Sequence, residues 1–137
     1  NGKIHLHKRV YLDDNVRIVA AREGFVDIGF GTEIGNHTII NSGGKLRIGK
    51  FCMIAGNGNI NSSSHGISKK LFVKDQIHEH GEIIIKDDVW IGAGASVLMN
   101  TNIGHGVVVS TNSVVSGNIP AFAICSGIPA KVIRFRD

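Results

Sequence analysis

An aliphatic residue recurs at every sixth position through the last third of this chain, at Ile85, Ile91, Val97, Ile103, Val109 and Val115. A helix needs apolar residues three and four apart and a half-buried strand alternates by two, so a period of six excludes both as the organising element. It fits a short strand followed by a tight turn, repeated so that each first residue of a hexad points into one shared interior. The fifth residues of these hexads are Val89, Ala95, Thr101, Val107, Ser113 and Ile119, mostly small, as a corner requires. Ile28, Ile34 and Ile40 keep the same step, and Ile48, Ile54 and Ile60 resume it after a two-residue slip. Val10 and Val16 continue it backward, with Arg22 standing where an aliphatic residue belongs.

Three hexads make one triangular rung of about 18 residues, and stacked rungs pair as parallel strands about 4.8 Å apart. The pattern therefore predicts an all-β, parallel β-helix of about five triangular rungs, roughly 24 Å tall. The rungs are expected to begin near Val10, Ile28, Ile48, Ile85 and Ile103. Gly29, Gly35, Gly49, Gly92 and Gly104 each follow a first-position residue, where crowded backbone tolerates no side chain. Asn41, Asn57, Asn100 and Asn112 are expected at corners of positive φ, which Asn accepts most readily after Gly.

At 137 residues the chain suits one domain, 1–137. A 42% hydrophobic content with 19% charged residues is too apolar for disorder. Its longest apolar stretches, such as Ala121 to Cys125, are too short to span a bilayer, and no signal peptide is readable. The net charge of +4 and pI near 9.3 suit an anionic ligand without demanding nucleic acid. Two cysteines, Cys52 and Cys125, make no disulfide framework and lack metal-ligand spacing, which fits a reducing cytoplasm.

Two segments leave the pattern. The hexads vanish over 66–84, where Lys69, Lys70, Lys74, Asp75, His78, Glu79, His80 and Glu82 crowd into a loop excursion. Long loops of this kind often carry function. From Pro120 the chain reads as a C-terminal cap, 120–137, with a turn at Ser126 to Lys131 and a short segment, Val132 to Phe135, returning over the prism.

The hexads, the segment Val89-Trp90-Ile91-Gly92-Ala93-Gly94-Ala95 and the ending Gly127-Ile128-Pro129-Ala130-Lys131-Val132-Ile133-Arg134 together resemble the hexapeptide-repeat acyltransferases. The similarity is to the galactoside and maltose O-acetyltransferases and the sugar O-acetyltransferases of polysaccharide pathways, over about Ile28 to Arg134. It implies a left-handed coil, a homotrimer, and acetyl-CoA as co-substrate in the groove between neighbouring subunits.

His65 closes the hexad Ile60 to His65 where the repeat gives way to the loop, so it is expected at a corner outside the core. In the resembling enzymes that position holds the general base, and an imidazole of ordinary pKa near 6.5 can take a hydroxyl proton at neutral pH. Some relatives orient this base with a preceding Asp. Here Ser62, Ser63 and Ser64 stand there, leaving a backbone carbonyl, a serine hydroxyl or a loop carboxylate such as Glu79 or Glu82 as candidates. By the same resemblance Trp90 flanks the active site. Ala93, Thr111 and Ser116 line the pantetheine groove, and Lys131 and Arg134 lie near the nucleotide phosphates. The family's Ala-Gly-Ser stretch reads Thr111-Asn112-Ser113, and its Pro-Gly turn reads Met99-Asn100. Gly35 and Gly43 fall where the galactoside enzymes carry polar sugar contacts, so Asn36, His37 and Asn41 become the nearby acceptor candidates.

The expected activity is acetyl-CoA-dependent O-acetylation of a hydroxyl on a sugar or glycan precursor. The alternatives are a streptogramin-type antibiotic or amino-sugar N-acetyltransferase, and a non-catalytic trimeric scaffold of the same fold. A zinc enzyme resembling the γ-class carbonic anhydrases needs two His five residues apart, a spacing the seven histidines lack. His5/His7 and His78/His80 have H-x-H spacing, which puts both rings of a pair on one strand face. No metal is expected.

Overall fold

The computed structural model describes residues 1–137, and almost all regular structure in it is strand. The chain winds through six turns of a three-sided parallel β-helix, the last incomplete. The first turn comprises β1 (Lys3–Leu6), β2 (Tyr11–Leu12) and β3 (Arg17–Ala20), and the second β4 (Phe25–Ile28), β5 (Glu33–Ile34) and β6 (Ile39–Ser42). The third holds β7 (Lys45–Ile48), β8 (Met53–Ile54) and β9 (Asn59–Asn61). An antiparallel hairpin of β10 (Ser63–His65) and β11 (His78–His80) follows, with a single 3₁₀ turn at Val73–Asp75 between its strands. The coil resumes with β12 (Glu82–Ile85), β13 (Trp90–Ile91) and β14 (Ser96–Val97), then β15 (Thr101–Ile103), β16 (Val108–Val109) and β17 (Val114–Val115). The last turn has β18 (Asn118–Ile119) and β19 (Ala123–Gly127), against which β20 (Ala130–Phe135) runs antiparallel.

The aliphatic repeat fixes the register. On the first face Leu6, Ile28, Ile48, Ile85, Ile103 and Ile119 stack in one column. The second face stacks Leu12, Ile34, Ile54, Ile91, Val109 and Cys125, and the third Ile18, Ile40, Ile60, Val97 and Val115. These columns supply most of a continuous core of 22 buried apolar residues. A one-residue slip in any strand would turn its aliphatic residue outward, so core burial and backbone pairing specify the same register.

Small corner residues have a second use beyond space. Thr32 donates its hydroxyl to the Gly49 carbonyl at 2.7 Å and accepts from the Cys52 N–H at 3.1 Å. Thr38 does the same between Ala55 and Gly58, and Ser42 donates to the Phe25 carbonyl. Backbone groups that the tight turns leave without strand partners are thereby satisfied inside the prism, and no buried side-chain polar atom is left unpaired.

Four sequence expectations need correction. There are six turns instead of about five, because Leu6, Leu12 and Ile18 form a first rung in a phase different from that of Val10 and Val16. Val10 and Val16 sit at corners, and Arg22 occupies a turn at φ 52°, which explains its break with the aliphatic pattern. Ile119 is not a corner residue but the first-face member of the sixth turn, reached by a shortened corner after Val115. Asn41 lies within β6, whereas Asn57, Asn100 and Asn112 do adopt positive φ, as does Asn15. Finally, the excursion from the coil runs between β9 and β12, starting at the hairpin strand Ser63–His65 and ending before Glu82, slightly earlier than 66–84.

Ile91 is fully buried at the middle of the second face. Ile91→Ala should therefore lower unfolding stability by about 2–5 kcal/mol in urea titration. Glu33→Ala, an exposed change on the same face, should stay within about 0.5 kcal/mol.

Candidate active site

The hairpin is the one place where two polar runs, Ser63–His65 and His78–His80, pair outside the coil. It leaves from the corner between the third and first faces, because β9 belongs to the third and β12 to the first. Ser63 pairs with His80, Ser64 with Glu79 and His65 with His78. Side chains alternate along a strand, so Ser63, His65, His78 and His80 share one side of the hairpin while Ser64 and Glu79 take the other. The shared side lies against the coil at Gly43: the Gly43 N–H donates to Ser63 Oγ at 3.1 Å, and a β-carbon at Gly43 would fall 2.2 Å from His80 Nδ1.

This alternation decides what orients His65. Glu79 faces away, and Glu82 pairs with Lys45 at 3.7 Å. Ser62 is buried against Ser42 and the Gly44 N–H, while Ser63 lies 3.1 Å from His80 Nδ1. The neighbour of the exposed His65 ring is the His78 ring, at 4.1 Å between centroids and tilted by 49°. His65 beside it pushes the His78 imidazole below the ordinary histidine range, with partial desolvation, Arg22 and His80 acting in the same direction. In the sequence His78 stands out as a member of the polar loop and as half of an H-x-H pair. Recognising it as the partner of His65 requires the hairpin register, for which the two matching polar runs are the signal.

Trp90 projects from β13 on the second face and is half exposed. With Phe51, Met53, Val108 and Arg136 it lines a groove of about 410 Å³, and its other edge borders a smaller depression walled by Tyr11, Glu33 and Met53. That face lies opposite the corner from which the hairpin departs. One chain thus keeps His65 and Trp90 on opposite sides of the prism.

The nominated cofactor residues divide similarly. Ala93 and Thr111 share the corner between the second and third faces, where the Asn112 N–H donates to the Ala93 carbonyl. The turn after β19 reaches the same corner, its Gly127 N–H donating to Ser113 Oγ at 3.1 Å, which places Lys131 at the end of that line. Arg134 lies further along β20 opposite Ile124, and Ser116 follows β17 at the far edge of the third face. Of the acceptor candidates, Asn36 and His37 sit at the second corner, His37 at φ 56°. Asn41 alone adjoins the hairpin, its amide donating to Asn61 Oδ1 at 3.3 Å. Neither cysteine offers a nucleophile: Cys52 and Cys125 are free and buried, and burial pushes the Cys52 thiol up to about 11.

No protein-family model matches the chain. It is 32% identical to a protein of Mycobacterium tuberculosis described as a probable acetyltransferase, over 99% of this chain and 45% of that protein. It is 29% identical to an Escherichia coli protein described as a lipopolysaccharide biosynthesis O-acetyl transferase, WbbJ, over 98% of this chain and 72% of that one. Among solved structures, the hexapeptide-repeat acetyltransferase of Vibrio cholerae complexed with acetyl-CoA superposes with a TM-score of 0.85 at 26% identity, covering 98% of this chain and 72% of that one. The coil is the left-handed parallel β-helix, and its repeat and these relatives make the chain similar to the hexapeptide-repeat acyltransferases. The chain spans less than half the length of the mycobacterial relative.

The His65–His78 contact is directly measurable. Proton NMR titration should place His78 below the ordinary value of about 6.5, and His65→Ala should move it back upward. Because the unfolded chain then binds this proton more tightly than the folded one, the His78 contribution to stability is complete above pH about 6.5 and fades as pH falls through the depressed folded value.

Proposed function

We propose that the protein is an acetyl-CoA-dependent O-acetyltransferase that acetylates a hydroxyl of a sugar or glycan precursor, with His65 as general base. The observation that carries this reading is an exposed imidazole held on a short hairpin at a coil corner, in a fold whose Vibrio cholerae neighbour was solved with acetyl-CoA. The similarity to WbbJ, described as acting in lipopolysaccharide biosynthesis, supports a glycan acceptor.

In this mechanism His65 takes the proton of the acceptor hydroxyl as its oxygen attacks the thioester carbonyl. A backbone N–H steadies the oxyanion of the tetrahedral intermediate. The C–S bond then breaks, the acetyl ester forms, and the imidazolium returns its proton to the departing thiolate. The raised thiol of Cys52 supports direct transfer over an acyl-enzyme route. His65 and Trp90 occupy opposite sides of one prism, so a site that uses both is built between copies of the chain, which supports a homotrimer with three equivalent sites. Ala93, Thr111 and Lys131, aligned along one corner, hold the pantetheine and phosphates, with Ser116 and Arg134 as further contacts. Asn41, beside the hairpin, is the acceptor contact favoured over Asn36 and His37. The two reduced cysteines suit a cytoplasmic enzyme.

With acetyl-CoA and a panel of sugars, free thiol should appear only when an acceptor is present. His65→Ala should reduce kcat by about 10²- to 10⁴-fold with its circular dichroism unchanged. Equal turnover in that variant, or no thiol release with any acceptor, overturns the reading. Light scattering of the purified protein should give three times the chain mass.

A further inference from the structure

At the opposite end of the coil from the C-terminal hairpin, His5 in β1 and His7, just beyond its end, turn to the same side, toward Asp27. β4 pairs with β1 so that Asp27 stands directly across from His5. His5 Nδ1 and His7 Nε2 each lie 3.1 Å from the same oxygen, Asp27 Oδ1, with the two rings 4.3 Å apart. All three donor atoms lie within 4.8 Å of one another. On its other side Asp27 has Arg47 as its in-register neighbour, yet it makes no ion pair with it, and the Arg47 guanidinium lies over the Phe25 ring at 5.9 Å. The carboxylate is committed to the two imidazoles in preference to the nearest available cation.

We infer that His5, His7 and Asp27 form a binding site for a first-row divalent transition-metal ion such as zinc. Tetrahedral bonds of about 2.0–2.1 Å hold ligand atoms about 3.3 Å apart, so the observed nitrogen-to-oxygen separations need to open by only a few tenths of an ångström. Two imidazole nitrogens and one carboxylate oxygen select zinc, nickel or copper over magnesium or calcium, which require oxygen ligands. Three protein ligands leave the remaining position to water. Arg47, Lys50 and Lys86 line the adjoining groove together with Asp87 and oppose a dication there, which sets the expected affinity near micromolar instead of nanomolar. Bound metal would strap the exposed strand β1 to β4 and so fasten the outermost turn to the rest of the coil.

The test uses untagged, chelator-stripped protein titrated calorimetrically with zinc, and with cobalt followed by its visible absorption. One ion per chain with a roughly micromolar Kd is expected, accompanied by a rise in thermal midpoint. His5→Ala and Asp27→Asn should each weaken binding at least about tenfold, and His78→Ala should leave it unchanged. The sites altered are on the surface, and Asp27→Asn keeps the side-chain shape, so that variant remains informative if His5→Ala unfolds. Absence of saturable binding at about 100-fold the micromolar range, retention of affinity in Asp27→Asn, or loss of it in His78→Ala would each overturn the assignment. Thiol release is not part of the readout, so the result stands apart from the proposed acetyl transfer.

Discussion

Everything in this molecule depends on the ladder of backbone hydrogen bonds that runs from each turn of the coil to the next. Of 81 backbone–backbone bonds, 45 lie outside regular strand pairing, and many of those join corners of successive turns. Such a ladder cannot tolerate a slipped strand, because strand slippage would expose the aliphatic column. Any extra length must therefore leave at a corner. The chain obeys this: the turn at Arg22 and the histidine hairpin both depart at the corner between the third and first faces. The hairpin leaves at a corner because the strands of the coil cannot yield.

The same logic separates what could be read from the residues from what could not. Columns of one residue type at a strict interval identify the coil, and every first-position residue from Ile28 to Val115 lies in the observed core, which Val26, Leu46, Cys52 and Ile83 extend at positions the hexads did not mark. The first rung was misphased because Val10 and Val16 are themselves aliphatic, and a hexad count has no means of distinguishing a corner valine from a core leucine. Leu6 and Leu12 are recognisable only once their strands are paired. Ile119 shows the converse error, a core residue assigned to a corner after one shortened turn.

Pairing likewise governs the candidate site. The sequence marked His65 and Trp90 but could not say that they lie on opposite sides of one prism. Three side-chain candidates for orienting His65 were legible by type, and alternation along β10 and β11 turns Glu79 away while Ser63 and Glu82 take other partners. Likewise His5 and His7 form a visible spacing, but their meeting with Asp27 is a property of the β1–β4 register.

β20 returns along β19 in the opposite sense and carries Lys131 and Arg134 outward, with Arg136 just beyond its end. A solenoid grows by adding strands of one polarity, and here a further copy would meet a reversed, cationic rim on the second face. Arg136, joined to Asp88 and to the Gly106 carbonyl, holds that rim down. Fibre-like extension along the second face is thereby discouraged by direction as well as by charge, without any bound partner.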